Sequence, residues 1–151
     1  MTDIFGKILG VLIAFVTAIV LPLAMVMVTN QSMARTSLLN ETQNFIDEVV
    51  DTKSVTEDQL EDFYLGMASY GPLVDVTIER YVRVINPDPA RGEGYTRVTW
   101  MATDNIYDYN QGDIVKVNVK GIGYTGEERF IFNTLGFLMP DIDFSLAGRV
   151  R

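Results

Sequence analysis

The 151-residue chain contains no cysteine and no histidine. Their absence removes thiol nucleophiles, disulfides, imidazole bases and the common zinc and iron ligands together. Ser54, Ser69 and Ser145 have no histidine to activate them, and Asp141 with Asp143 projects from one face near the C-terminus, so no enzyme activity is expected. Positive charge is scarce too: 12 Lys and Arg stand against 20 Asp and Glu, a net charge of −8. No basic cluster is available to neutralise phosphates, so no nucleic-acid binding is expected. Asp104, Asp108, Asn110 and Asp113 are hard-oxygen ligands at spacings loosely like a calcium loop. They lack its acid-rich triplet and distal glutamate, so an ordinary turn before a strand is the reading, with neither metal nor cofactor.

Charge of either sign is missing from one long run. From Ile8 to Val28 only Gly10, Thr17 and Pro22 interrupt the apolar sequence. About 21 helical residues at 1.5 Å each cover roughly 32 Å, the thickness of a bilayer core. "VTNQSMA" contains a faint small-residue cleavage signal, but the run is longer than a secretory signal's apolar region, so a retained membrane helix is the expectation. Lys7 and the amino terminus flank one end and Arg35 followed by acid flanks the other. The expected topology has a short N-terminal tail inside the cytoplasmic membrane and an acidic head outside. Pro22 cannot donate to the Ala18 carbonyl. It reads either as a kink that membrane helices tolerate or as a soft point where the helix bends or unwinds on packing.

The segment "QSMARTSLLNETQNFIDEVV" contains neither Gly nor Pro. Leu38, Phe45, Ile46 and Val49 fall near one helical face, so the helix is expected to continue as an amphipathic stem that packs on a sheet. Residues 1–52 are thus read as membrane helix plus stem, and 53–151 as an acidic globular head. The head opens with a second helix capped by Ser54 with Glu57 or by Thr56 with Gln59. Leu60, Phe63, Tyr64 and Met67 form its expected buried stripe, and Gly71 with Pro72 ends it.

Three alternating strands follow. In "LVDVTIERYVRVI", Val74, Val76, Ile78, Val82 and Val84 face one way and Asp75, Thr77, Glu79, Tyr81 and Arg83 the other. "NPDPARGEG" is a loop that joins this strand in a hairpin to "YTRVTWMAT", with Val98, Trp100 and Ala102 on one side. "DIVKVNVKGIGY" turns Val115, Val117 and Val119 inward and Lys116 and Lys120 outward. "GEERFIFNTLGFLMP" reads as a short helix and "DIDFSLAGRV" as a last strand. The aromatics Tyr64, Tyr70, Tyr81, Tyr95, Trp100, Tyr107, Tyr109 and Tyr124 offer an adhesive surface, but alternation assigns several to the core or to cross-strand pairs. The fold class is α+β: a long N-terminal helix, apolar then amphipathic, packed on a small antiparallel β-sheet domain with a second helix.

An apolar N-terminal helix with an internal proline, continuing as a stem into a small sheet domain, resembles the type IV pilin superfamily. The stretch from "FIDEVVDTKSVTEDQLEDFY" to "VRVINP", the strand opening "GDIVKVNVKG" and the tail "DIDFSLAGRVR" look like the Tad-type pilins and pseudopilins of Gram-positive bacteria. The resemblance implies a structural subunit of an extracellular helical filament, held in the membrane by its helix and drawn by an assembly machine into a polymer of itself. Ile8, Leu12, Phe15, Ile19, Pro22, Leu23 and Val26 are then the assembly and membrane residues. Two features differ from the family pattern. The run from Ile8 contains no carboxylate, where many such pilins carry a glutamate near the start of the mature helix. Gly6 before Lys7 and Gly10 before Val11 are poor matches to a leader cut after glycine. The rival reading is a single-pass membrane-anchored binding or assembly-factor protein that does not polymerise. A lone anchor is usually followed by a flexible linker, and no Gly or Pro occurs between Val28 and Thr52.

Overall fold

The computed structural model describes residues 2–71, 73–88, 90–123, 129, 133 and 142–151. The N-terminal helix comprises α1 (Thr2–Phe15), a π-helical turn (Val16–Val20) and α2 (Leu21–Thr52), followed by α3 (Glu57–Ser69). Four strands complete the order, β1 (Val74–Pro87), β2 (Thr96–Thr103), β3 (Ile114–Gly121) and β4 (Asp143–Arg149). The short helix expected over "GEERFIFNTLGFLMP" lies outside the described residues, Arg129 and Asn133 apart.

The proline leaves its mark one turn upstream. The Leu21 N–H donates to the Val16 carbonyl, five residues back rather than four, so the turn before Pro22 is widened. A helix can absorb a missing proline donor in this way without ending, because the ladder is re-spaced locally. The chain therefore stays helical through Ala18 to Leu23.

Residues 37–123 and 142–151 form one compact unit, and residues 2–36 belong to another. In the first unit the strands form one antiparallel sheet in the order β2-β1-β3-β4. β1 is longer than its neighbours and is shared between them. Val74–Tyr81 pair with β3, and Arg80–Pro87 pair with β2. The α2 stem and α3 cover the valine face of β3, where Val115, Val117 and Val119 are fully buried with Leu38, Phe45, Ile46, Val49, Phe63 and Met67. Phe45 stacks on Phe63 at 4.4 Å between ring centres. The stem lies so close to β4 that a Cβ added at Gly148 would collide with Ile46 Cγ2 and stand 3.0 Å from Val50 Cγ2.

Of the two caps that the sequence allows for α3, Thr56 with Gln59 is formed. The Thr56 hydroxyl accepts from the Gln59 N–H at 3.2 Å, and the Gln59 side chain accepts from the Thr56 N–H at 2.9 Å. Gly71, at φ 92°, follows the helix in the left-handed region that glycine enters without a steric penalty. The expected stripe of α3 is narrower than the sequence indicates. Phe63 and Met67 are buried and Leu60 packs beside them, but Tyr64 is exposed. One helical position separates Phe63 from Tyr64, about 100° of rotation, and the stem covers only the Phe63 side.

Candidate interaction surfaces

The described residues of the N-terminal helix contain one stretch, within Ile4–Thr52, long and apolar enough to cross a membrane. Six of the seven residues assigned to it, Ile8, Leu12, Phe15, Ile19, Leu23 and Val26, are between 52 and 62% exposed in the single chain. Pro22 is exposed as well. Its polar interruptions are muted: the Thr17 hydroxyl donates to the Ile13 carbonyl at 2.8 Å and the Thr29 hydroxyl to the Met25 carbonyl at 2.9 Å. A threonine that bonds its own preceding turn presents little unmet polarity to an apolar surrounding.

The stem residues lie at the opposite extreme. Leu38, Phe45, Ile46 and Val49 are each at most 5% exposed. Thr42, which the sequence reading did not assign to this face, is fully buried among them, and its hydroxyl donates to the Leu38 carbonyl at 2.8 Å.

The stretch "DNIYDYNQGD" is the loop between β2 and β3, and it works as a strap. The Val55 N–H donates to the Tyr107 carbonyl at 2.7 Å and the Tyr109 N–H to the Lys53 carbonyl at 3.0 Å, which ties the loop to the α2–α3 connection. At its other end the Gly112 N–H reaches the Val150 carbonyl, and the Val150 N–H reaches the Asp113 carbonyl, each at 2.9 Å. Asp113 is engaged by protein groups: its Oδ2 accepts from Arg80 Nε at 2.9 Å, from Arg80 Nη2 at 2.7 Å and from the Asn110 N–H at 2.9 Å. Among the described residues no group of three Asp or Glu is placed to hold a metal ion.

Sequence reasoning missed the Arg80–Asp113 pair. Arg80 belongs to the valine-bearing face of β1, yet it is buried, and its guanidinium carbon lies 5.3 Å from the centre of the Tyr109 ring. The one available signal was a charge in phase with Ile78 and Val82, which an inward-facing position tolerates only when paired. Arg80 is opposite Val115 on β3 and Thr103 on β2, so the pair anchors β1 where it passes from one neighbour to the other. Burial pushes the Tyr109 hydroxyl up to about 12.

Beyond Tyr81, β1 and β2 form a two-stranded arm. Val98, Trp100 and Ala102 share a face as the alternation indicates, and register places them opposite Ile85, Arg83 and Tyr81. That is the wet face of β1, and all three are exposed. Of the aromatics weighed for an adhesive surface, the core takes Tyr109. Tyr109 is buried, whereas Tyr64, Tyr70, Tyr95, Trp100 and Tyr107 are exposed. Tyr124 lies outside the described residues. Nearer the core, the outer face is ordinary for a solvated sheet: Glu79 accepts from the Tyr81 hydroxyl at 3.1 Å and pairs with Lys116 at 3.3 Å. The Tyr81 hydroxyl, with Lys116 beside it, holds the Glu79 carboxyl below the usual value.

The residues weighed for catalysis are not gathered. The Ser69 hydroxyl donates to the Gly66 carbonyl at 2.7 Å at the end of α3, Ser54 bridges to Asp108, and Ser145 and Asp143 are exposed on β4. Asp141 lies outside the described residues. No protein-family model, curated protein or solved structure matches the chain.

Proposed function

We propose that this chain is a structural subunit of an extracellular helical filament, held in the cytoplasmic membrane by its N-terminal helix before assembly and packed through that helix afterwards. The observation that carries this reading is the contrast within that helix. Its apolar half keeps Ile8, Leu12, Phe15, Ile19, Leu23 and Val26 more than half exposed, while its stem half is sealed into the head. Uncovered apolar surface on this scale requires either lipid or protein around it. No Gly or Pro occurs between Val28 and Thr52, whereas a lone anchor is usually followed by a flexible linker.

In this reading the amino terminus lies inside, the acidic head outside, and the partners are the membrane, an assembly machine of the pilus type and copies of the chain itself. The resemblance to Tad-type pilins supports the same assignment. The widened turn at Val16–Val20 gives the helix a place to bend as it leaves lipid. The test is to shear cells that carry the chain, pellet the released material and identify its peptides. A helical polymer containing this protein is expected. Recovery solely from detergent-solubilised membrane, as monomer or dimer, would replace the filament with a membrane-anchored binding or assembly-factor protein.

A further inference from the structure

The β1–β2 arm is an unusual place to leave apolar side chains. Val82–Pro87 pair with β2 alone, so this half of β1 is a two-stranded ribbon, and β2 is an edge of the sheet. Two-stranded ribbons are marginal in water, and exposed edges invite pairing or association unless something covers them. Ile85 is 57% exposed, Trp100 41% and Val98 45%. The arm also reverses the charge of the molecule. Residues 82–103 carry three arginines and two acids in a chain of net charge −8. Arg91 lies within 4.0 Å of Asp88, whereas Arg83, directly across from Trp100, and Arg97 make no ion pair among the described residues.

The matching surface is on the same chain. α3 carries Glu57, Asp58, Glu61 and Asp62 and no basic residue. Its outer side exposes two large apolar residues, Tyr64 at 46% and Leu65 at 61%. Glu61 is three and four positions before them and Asp62 three before Leu65, so acid and apolar groups share one face. The arm presents the complement, arginine beside tryptophan and aliphatic side chains.

We infer that the β1–β2 arm of one copy docks on the outer face of α3 of a neighbouring copy. Trp100 and Val98 cover Tyr64 and Leu65, and Arg83, which lies on the same face of the arm as Trp100, meets Glu61 and Asp62. Because the two patches differ, the contact is head-to-tail and repeats along a chain of copies instead of closing on a dimer. This rests on the filament reading above and deepens it, by assigning the contact between heads.

The absence of cysteine makes the test direct. In the full chain, Trp100→Cys and Leu65→Cys together are expected to give a ladder of oxidised oligomers, and either substitution alone is not. Reversing Arg83→Glu, or Glu61→Arg, is expected to lower the yield of sheared polymer about tenfold or more, and combining the two to restore it. If wild-type polymer forms but neither single-side reversal lowers its yield and no ladder appears, the arm contact is wrong and the filament stands. If no wild-type polymer forms, the filament reading fails, and the cysteine pair in detergent decides the contact by itself: a ladder upholds it, and dimers from Trp100→Cys alone overturn it. Binding of phosphatidylglycerol vesicles that is lost on Arg83→Glu, without any change in polymer or ladder, would assign the arm to a lipid surface instead.

Discussion

The two halves of the N-terminal helix are the sharpest comparison in the molecule. The half around Leu12 and Ile19 is apolar on every side and exposed. The half around Leu38 and Ile46 is apolar on one side and buried. The difference shows which surfaces the chain covers for itself and which it leaves uncovered. The sheet repeats the contrast on a smaller scale. On the valine face, β1 packs with the stem and α3 where it pairs with β3, and on the opposite face Ile85 of β1 and Trp100 of β2 are left exposed.

The comparison can be broken most severely at the anchor between the two parts of β1. Asp113→Ala leaves the Arg80 guanidinium buried without its carboxylate, which is expected to cost about 3–5 kcal/mol of head stability. Chemical denaturation of the full chain in detergent would register this as a lower midpoint. Leu38→Ala removes a fully buried side chain from the stem and is expected to cost about 3 kcal/mol, while Leu12→Ala leaves the same unfolding curve unmoved. Equal losses from the two leucine variants would erase the distinction between the halves. Ile19→Asp places a charge in the apolar half at an expected cost of about 2.5 kcal/mol or more at membrane insertion, with no effect on the head. A membrane-extraction assay that still finds the variant fully inserted would show that this stretch is not the spanning segment.

The smallest expected effect comes from the strap. Tyr109 is held neutral by burial, with its hydroxyl pushed from 10.0 to about 12. A group whose value rises on folding favours the folded state below its unfolded value. The contribution is therefore intact below pH 10 and is lost as pH climbs through about 12. Thermal unfolding of Tyr109→Phe across this alkaline window should decline less steeply than that of the wild type. Parallel curves would mean that Tyr109 is ionised equally well in both states.

Much of the stem was legible because a helix pattern with one apolar stripe has a single way to be buried. Leu38, Phe45, Ile46 and Val49 could be read from their spacing, and so could the valine alternation of β3. The arm was not legible in the same way. Alternation groups Val98 with Trp100, but it does not say whether anything lies over the face they share. That depends on which side of the sheet the stem packs against. Arg80 was hidden by its type, since a lone arginine between Ile78 and Val82 gives no sign of a carboxylate 33 positions away. Tyr64 failed for a related reason, because the width of a buried stripe depends on the neighbouring helix as well as on the helix that carries it.

The sequence by itself determined the elements and the solvent that each one suits, because hydrophobic period and the absence of charge are local properties. It determined an apolar helix able to span a bilayer, an amphipathic continuation, a capped second helix and alternating strands. Only the tertiary structure decided which of two capping boxes formed, how a helix carries Pro22 by widening the turn before it, and which half of β1 is roofed. It also decided that Asp113, which as a sequence letter resembles a metal ligand, is the counter-charge of Arg80. These outcomes depend on groups far apart in the chain meeting in space, and no local pattern records such meetings.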